Sequence, residues 1–96
     1  MGVILNYDLD SKHTPVKDAM KENGYQDYFE YHKTVDGKKV KKKIDLPNTT
    51  LYHNSKSPST AREDLKSTAK SKGAKVLYVL ATKFDPDTTG WASYNL

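Results

Sequence analysis

The sequence predicts one α+β domain of order β-α-β-β-α-β. Three observations predict it. Two stretches with helical spacing each stop at a glycine, Gly24 and Gly73, the residue that takes the left-handed turn after a helix most cheaply. An Asp36-Gly37 pair lies between two strand-like runs, a strong signal for a two-residue hairpin. Short apolar runs stand before the first helix and after the second, VIL and AKVLYVLATKF, too short and too rich in branched residues for helices.

The elements follow in order. Residues 3–9 read as a buried strand that runs into the acids Asp8 and Asp10. Thr14 is a helix cap and Pro15 suits the first helical position. Val16, Ala19 and Met20 then form a narrow apolar stripe. Residues 25–35 carry aromatic and β-branched side chains and read as a strand, which turns at Asp36-Gly37 and returns over residues 38–44. Leu46-Pro47 interrupts that return, since proline offers no ladder donor, and residues 48–53 resume as a strand. Ser57-Pro58, or Thr60 with Glu63 in capping-box spacing, opens the second helix. Ala61, Leu65, Thr68, Ala69 and Lys72 share its face. Residues 74–84 are the most apolar segment and are expected as a central strand, ended by Asp85-Pro86. Residues 91–94 are a candidate short last strand. The pattern is the ferredoxin-like one, an antiparallel sheet with both helices on one face and an elaborated middle hairpin. The other face then needs a cover, with Tyr7, Tyr28, Tyr52 and Tyr78 as candidate strand-face residues.

Size and charge bound the function. Ninety-six residues bury only about 60–65% of their unfolded surface. A homodimer that hides more apolar surface is therefore expected. The formal net charge is +4, which favours polyanionic partners. There is no cysteine, which excludes disulfides, thiolate zinc sites and cysteine nucleophiles. Neither a signal peptide nor a membrane span is evident, and a cytoplasmic location is expected.

Four groups of residues are candidates for function, each with a plainer alternative. Asp8 ends the first strand. Near a two-fold axis, two copies of it would hold a hydrated magnesium ion, which favours few carboxylates and many waters; alternatively Asp8 and Asp10 solvate a strand end and accept hydrogen bonds from the loop. The run KKVKKK alternates so that Lys39, Lys41 and Lys43 fall on one face, and Lys38 and Lys42 on the other with Val40 and Ile44. It reads as a basic arm tracking a phosphate backbone, or as an edge protected by lysine. Tyr25, Tyr28, Phe29 and Tyr31 either stack bases or fill a thin core or interface. His13, His32 and His53 lack paired metal-ligand spacing. His53 is either an acid–base group facing Asp8 or a surface histidine. Ser55, Ser57 and Ser59 look like loop and capping residues.

VILNYDL at the start, ENGY at the first helix end and LPNTTLYHN in the middle resemble the small CRISPR-associated proteins of the Cas two type and the related virulence-associated protein D toxins. The resemblance implies a ferredoxin-like homodimer, often with a C-terminal strand packed on the partner. It also implies nucleic-acid binding and, in some members, magnesium-dependent endoribonuclease or other endonuclease activity. Asp8 is the one position it marks as a catalytic, metal-binding aspartate. The loop after it reads Asp10-Ser11-Lys12-His13 in place of the arginines common in CRISPR-type members, and the lysine hairpin stands as an insertion. A non-enzymatic interaction module or accessory subunit using the open sheet face is the alternative.

Overall fold

A computed structural model describes residues 2–91. The candidate last strand over residues 91–94 lies, beyond Trp91, outside the described residues. The chain is mixed α+β: β1 (Gly2–Leu9), α1 (His13–Glu22), β2 (Tyr28–Val35), β3 (Lys38–Asp45), β4 (Thr50–His53), α2 (Pro58–Ser71) and β5 (Val76–Phe84). The strands form two antiparallel sheets, not one. β4, β1 and β5 make a three-stranded sheet in that order, and β2 and β3 make a separate ribbon.

Alternation along β1 sets the core. Val3, Leu5, Tyr7 and Leu9 are buried and pack with Val16 and Met20 of α1 and with Ala61, Leu65 and Ala69 of α2. Tyr7 therefore lies in the helix-side core and not on the open face. The helix stripes predicted from sequence supply this contact. At about 25 cal/mol per Å² of apolar area, such burial is the main stabilising term. Ser57 caps α2, its hydroxyl accepting from the Thr60 amide at 3.2 Å, with Pro58 directly after it. α1 starts earlier than Thr14 predicts. Lys12 takes a left-handed conformation at its N-cap and gives it no side-chain cap.

Two other expectations fail for physical reasons. Residues 25–35 are not one strand. Gln26 makes an isolated bridge to Tyr52, and the chain leaves the sheet before β2 begins. The Gln26 amide donates to the Tyr52 carbonyl at 2.7 Å and the Tyr52 amide to the Gln26 carbonyl at 2.8 Å. Three residues later Phe29 turns into a second cluster with Tyr52 and Phe84, which lifts the ribbon off the ladder. β5 is not central: among the described residues it pairs only with β1. Much of its apolar content is exposed, with Leu77 57%, Tyr78 53% and Leu80 50% exposed. The hairpin turn matches its sequence signal. Asp36 and Gly37 have φ of 52° and 77°, the left-handed pair that a type I′ turn needs.

Candidate nucleic-acid interface

The ribbon carries most of the protein's charge. Over β2, the turn and β3 there are six lysines against three carboxylates, a net +3 of the chain's +4. The turn fixes the register, with Val35 opposite Lys38, His32 opposite Lys41, Glu30 opposite Lys43 and Phe29 opposite Ile44. Side chains alternate across a strand, so Lys39, Lys41 and Lys43 share one face and Lys38 and Lys42 the other, as the sequence alternation predicts. Among β2 and β3 residues only Phe29 is buried.

The two faces differ in what surrounds the lysines. On the first, Lys41 Nζ lies 3.8 Å from Glu30 and Lys43 Nζ 3.6 Å from Asp45. Lys43 also sits 4.4 Å from the centre of the Tyr28 ring. Asp87, from the turn after β5, accepts from the His32 amide at 2.7 Å and contacts His32 Nδ1 at 3.0 Å. It thereby covers a free amide on the outer edge of β2. These two His32 contacts hold the Asp87 carboxyl below the usual range. On the second face lie Lys33, Lys38 and Lys42 with Tyr31, Val35 and Val40. No described residue forms an ion pair with these three lysines. Lys33 joins the site although it lies outside the lysine run; the register set by Asp36-Gly37 carries the signal, because it places Lys33 opposite Val40.

The base of the ribbon is aromatic. Phe29 makes edge contacts with Phe84 and Trp91 at centroid distances of 4.9 and 5.0 Å, and Tyr31 meets Trp91 at 4.9 Å. The Trp91 indole N–H donates to the Pro86 carbonyl at 2.9 Å. Phe29 thus fills a core, and Tyr31 and Trp91 pack against it partly buried. Tyr25 is buried in the main core and its hydroxyl donates to Asp64 at 2.7 Å. Burial, with the Asp64 contact and charge, pushes the Tyr25 hydroxyl well up, so it stays a neutral donor.

Asp8 stands apart from the ribbon. It is exposed, opposite Tyr78, and its Oδ1 accepts from the Leu9 amide at 2.9 Å. The Phe29 cluster docks on Ile4, four residues and about 13 Å along β1 from Asp8. The two predicted site elements therefore occupy different ends of the sheet. A register shift at Asp8/Leu9 puts Leu9 opposite Val76, leaving Leu77 as the extra, bulged residue. Asp10 tethers the chain: its carboxylate accepts from the Lys75 amide at 2.8 Å and from Ser11 at 3.0 Å, and these bonds lower its pKa.

No cluster of three or more histidine or acidic groups suited to a metal occurs among the described residues. A cavity of about 320 Å³ beside the start of α1 is lined by His13, Thr14, Lys17, Asn48 and Thr49.

His53 does not face Asp8. It pairs with Val3 at the opposite end of β1, and its ring meets the Tyr25 ring at 5.0 Å. Its Nδ1 accepts from the Ser55 amide at 3.1 Å. Burial, then the Lys56 charge, lower its pKa against the opposing pull of Asp64. Lys56 in turn donates to Asp64 at 2.8 Å. No described helix is long and apolar enough to cross a membrane. The chain matches no family model, no curated protein and no solved structure.

Proposed function

We propose that this protein binds nucleic acid through its lysine ribbon, acts as a homodimer, and belongs to the CRISPR-associated and virulence-associated small nucleases it resembles. The observation that carries the reading is the concentration of +3 of a total +4 on one projecting hairpin of 18 residues. Lys38, Lys39, Lys41, Lys42 and Lys43 neutralise phosphates, which gives affinity without reading bases. Edge protection alone needs far fewer lysines.

The fold is ferredoxin-like in this reading, with the outer strand beside β4 reduced to the Gln26–Tyr52 bridge. The ribbon base covers one end of the open sheet face, at Ile4, Tyr52 and Phe84. Among the described residues nothing covers the other end, at the exposed Tyr78 and Leu80, which lie opposite Asp8 and Asn6. A second copy packed there hides exposed apolar surface and brings two Asp8 carboxylates near the axis.

One protomer supplies a single carboxylate and does not fit a magnesium site. Two copies supply the pair that a largely hydrated magnesium ion favours. Bound there, the ion would polarise a phosphodiester. The same bare patch favours the second reading, a cytoplasmic accessory subunit that docks through Leu77, Tyr78 and Leu80 and cleaves nothing.

Purification in low salt tests binding first: the protein is expected to carry nucleic acid that high salt strips off. Incubation with RNA and with DNA plus magnesium then separates the two readings. Cleavage lost in Asp8→Ala supports the nuclease. Cleavage that persists in that variant marks a contaminant, and binding without cleavage favours the accessory subunit.

A further inference from the structure

We infer that the nucleic acid on the ribbon is single-stranded and lies across the face of Tyr31, Lys33, Lys38 and Lys42, its bases against Tyr31 and Trp91; the inference rests on the nucleic-acid reading above.

Net charge selects the face. Lys39, Lys41 and Lys43 share their side of the ribbon with Glu30 and Asp45, and Asp87 is held against His32 on the same side. Three cations there meet three carboxylates. The opposite side holds three lysines and no carboxylate. Neighbouring groups on each face stand one two-residue step of about 6.8 Å apart along the strand, within a Debye length of ~8–10 Å at moderate salt. A polyanion therefore responds to the sum on each face: near zero on the first, +3 on the second.

Aromatic placement selects the strand state. Tyr31 stands opposite Lys42, and Lys33 stands opposite Val40, one two-residue step of about 6.8 Å further along the same face. Trp91 lies against Tyr31, its ring oriented by the Pro86 hydrogen bond and by edge contact with Phe29. An indole held in place and only partly buried at the foot of a lysine row offers its remaining surface for stacking a base. A duplex hides its base faces and offers this site only phosphates. A single strand uses both the lysines and the rings. One stacked base corresponds to a preference on the order of tenfold.

Trp91 is the chain's one tryptophan, so the unaltered protein reports on its own site. The probes are a 12-nucleotide oligouridine, a 12-nucleotide oligodeoxythymidine and a 12-base-pair DNA duplex. Binding is measured by anisotropy of labelled strands, and Trp91 emission is followed with unlabelled ones. Both single strands are expected to bind about tenfold more tightly than the duplex and to quench Trp91. Lys33→Gln, Lys38→Gln and Lys42→Gln together should weaken binding at least tenfold more than Lys39→Gln, Lys41→Gln and Lys43→Gln together. Circular dichroism confirms that both variants stay folded. Single-strand binding with unchanged Trp91 emission overturns the inference, as does equal duplex affinity or equal loss in the two triple variants. Each of those outcomes leaves the ribbon a nucleic-acid binder. Failure of the unaltered protein to bind any of the three probes overturns the broader reading instead.

Discussion

The three-stranded sheet and the ribbon are built from the same kind of antiparallel pairing and are held in opposite ways. Val3, Leu5, Leu51 and Leu65 are fully buried between the sheet and its helices. In β2 and β3 only Phe29 is buried. An isolated two-stranded hairpin is marginal in water, so the ribbon depends on the Phe29 anchor and its cross-strand hydrogen bonds. The difference teaches where each kind of mutation should act. Changes in the sheet alter stability, and changes of ribbon lysines alter charge while the core stays intact.

The largest expected effect is in the core. Leu65→Ala should cost about 2–5 kcal/mol, the usual range for a buried leucine that leaves a cavity. For a domain of this size that lowers Tm by more than about 10 °C. A urea titration checks it, and a loss below about 1 kcal/mol would mean that α2 does not pack as described.

Phe29→Ala should come next and should be local. Hydrogen exchange is expected to speed up across β2 and β3 while β1 and β4 keep their protection, because the ribbon opens as its own unit. Equal acceleration in both sheets would erase the distinction between them.

A smaller effect follows from pH. Asp64 is disfavoured by burial, but hydrogen bonds from Lys56 and Tyr25 and the nearby positive charges outweigh this and lower its pKa. Its contribution is present above the ordinary carboxylate range and is lost as pH falls through the lowered value. His53 is also lowered, chiefly by burial. The unfolded chain therefore takes up that proton first, and stability falls as pH drops below about 6.5. Protonation would also remove the Nδ1 lone pair that accepts from Ser55. Urea midpoints at pH 7 and pH 5 should show the decline, and His53→Gln should flatten it. An unchanged pH slope in that variant would remove His53 from the explanation.

Much of the fold was legible because local chemistry decides it. Gly24, Gly73, Ser57-Pro58 and Asp36-Gly37 each mark a boundary by their own conformational needs, and the helix stripes named the buried residues Val16, Met20, Leu65 and Ala69. Partner choice was not legible. Alternation shows that residues 25–35 are extended but not that Gln26 bonds to Tyr52 while Tyr28 bonds elsewhere. The apolar content of residues 74–84 suits a central strand and an outer strand with exposed apolar side chains equally well. For the candidate site, alternation divided the lysines correctly between two faces. The neutralising role of Asp87 depends on a contact 55 residues away from His32 in sequence, which no local pattern records. The same holds for the meeting of Trp91 with Tyr31.

The measurement that bears most directly on the ribbon's role is the salt dependence of nucleic-acid affinity. Lys38, Lys39, Lys41, Lys42 and Lys43 would all be changed to glutamine. Affinity for single strands should fall, and the slope of log affinity against log salt should become shallower by roughly 0.7 for each lysine that touches a phosphate, about 1.4 if Lys38 and Lys42 alone do so and about 3.5 if all five do. Folding stability, measured on the same sample, should move by no more than about 0.5 kcal/mol per substitution. An unchanged affinity and slope in a folded variant would contradict a phosphate-binding ribbon and leave the lysines as guards of an exposed hairpin.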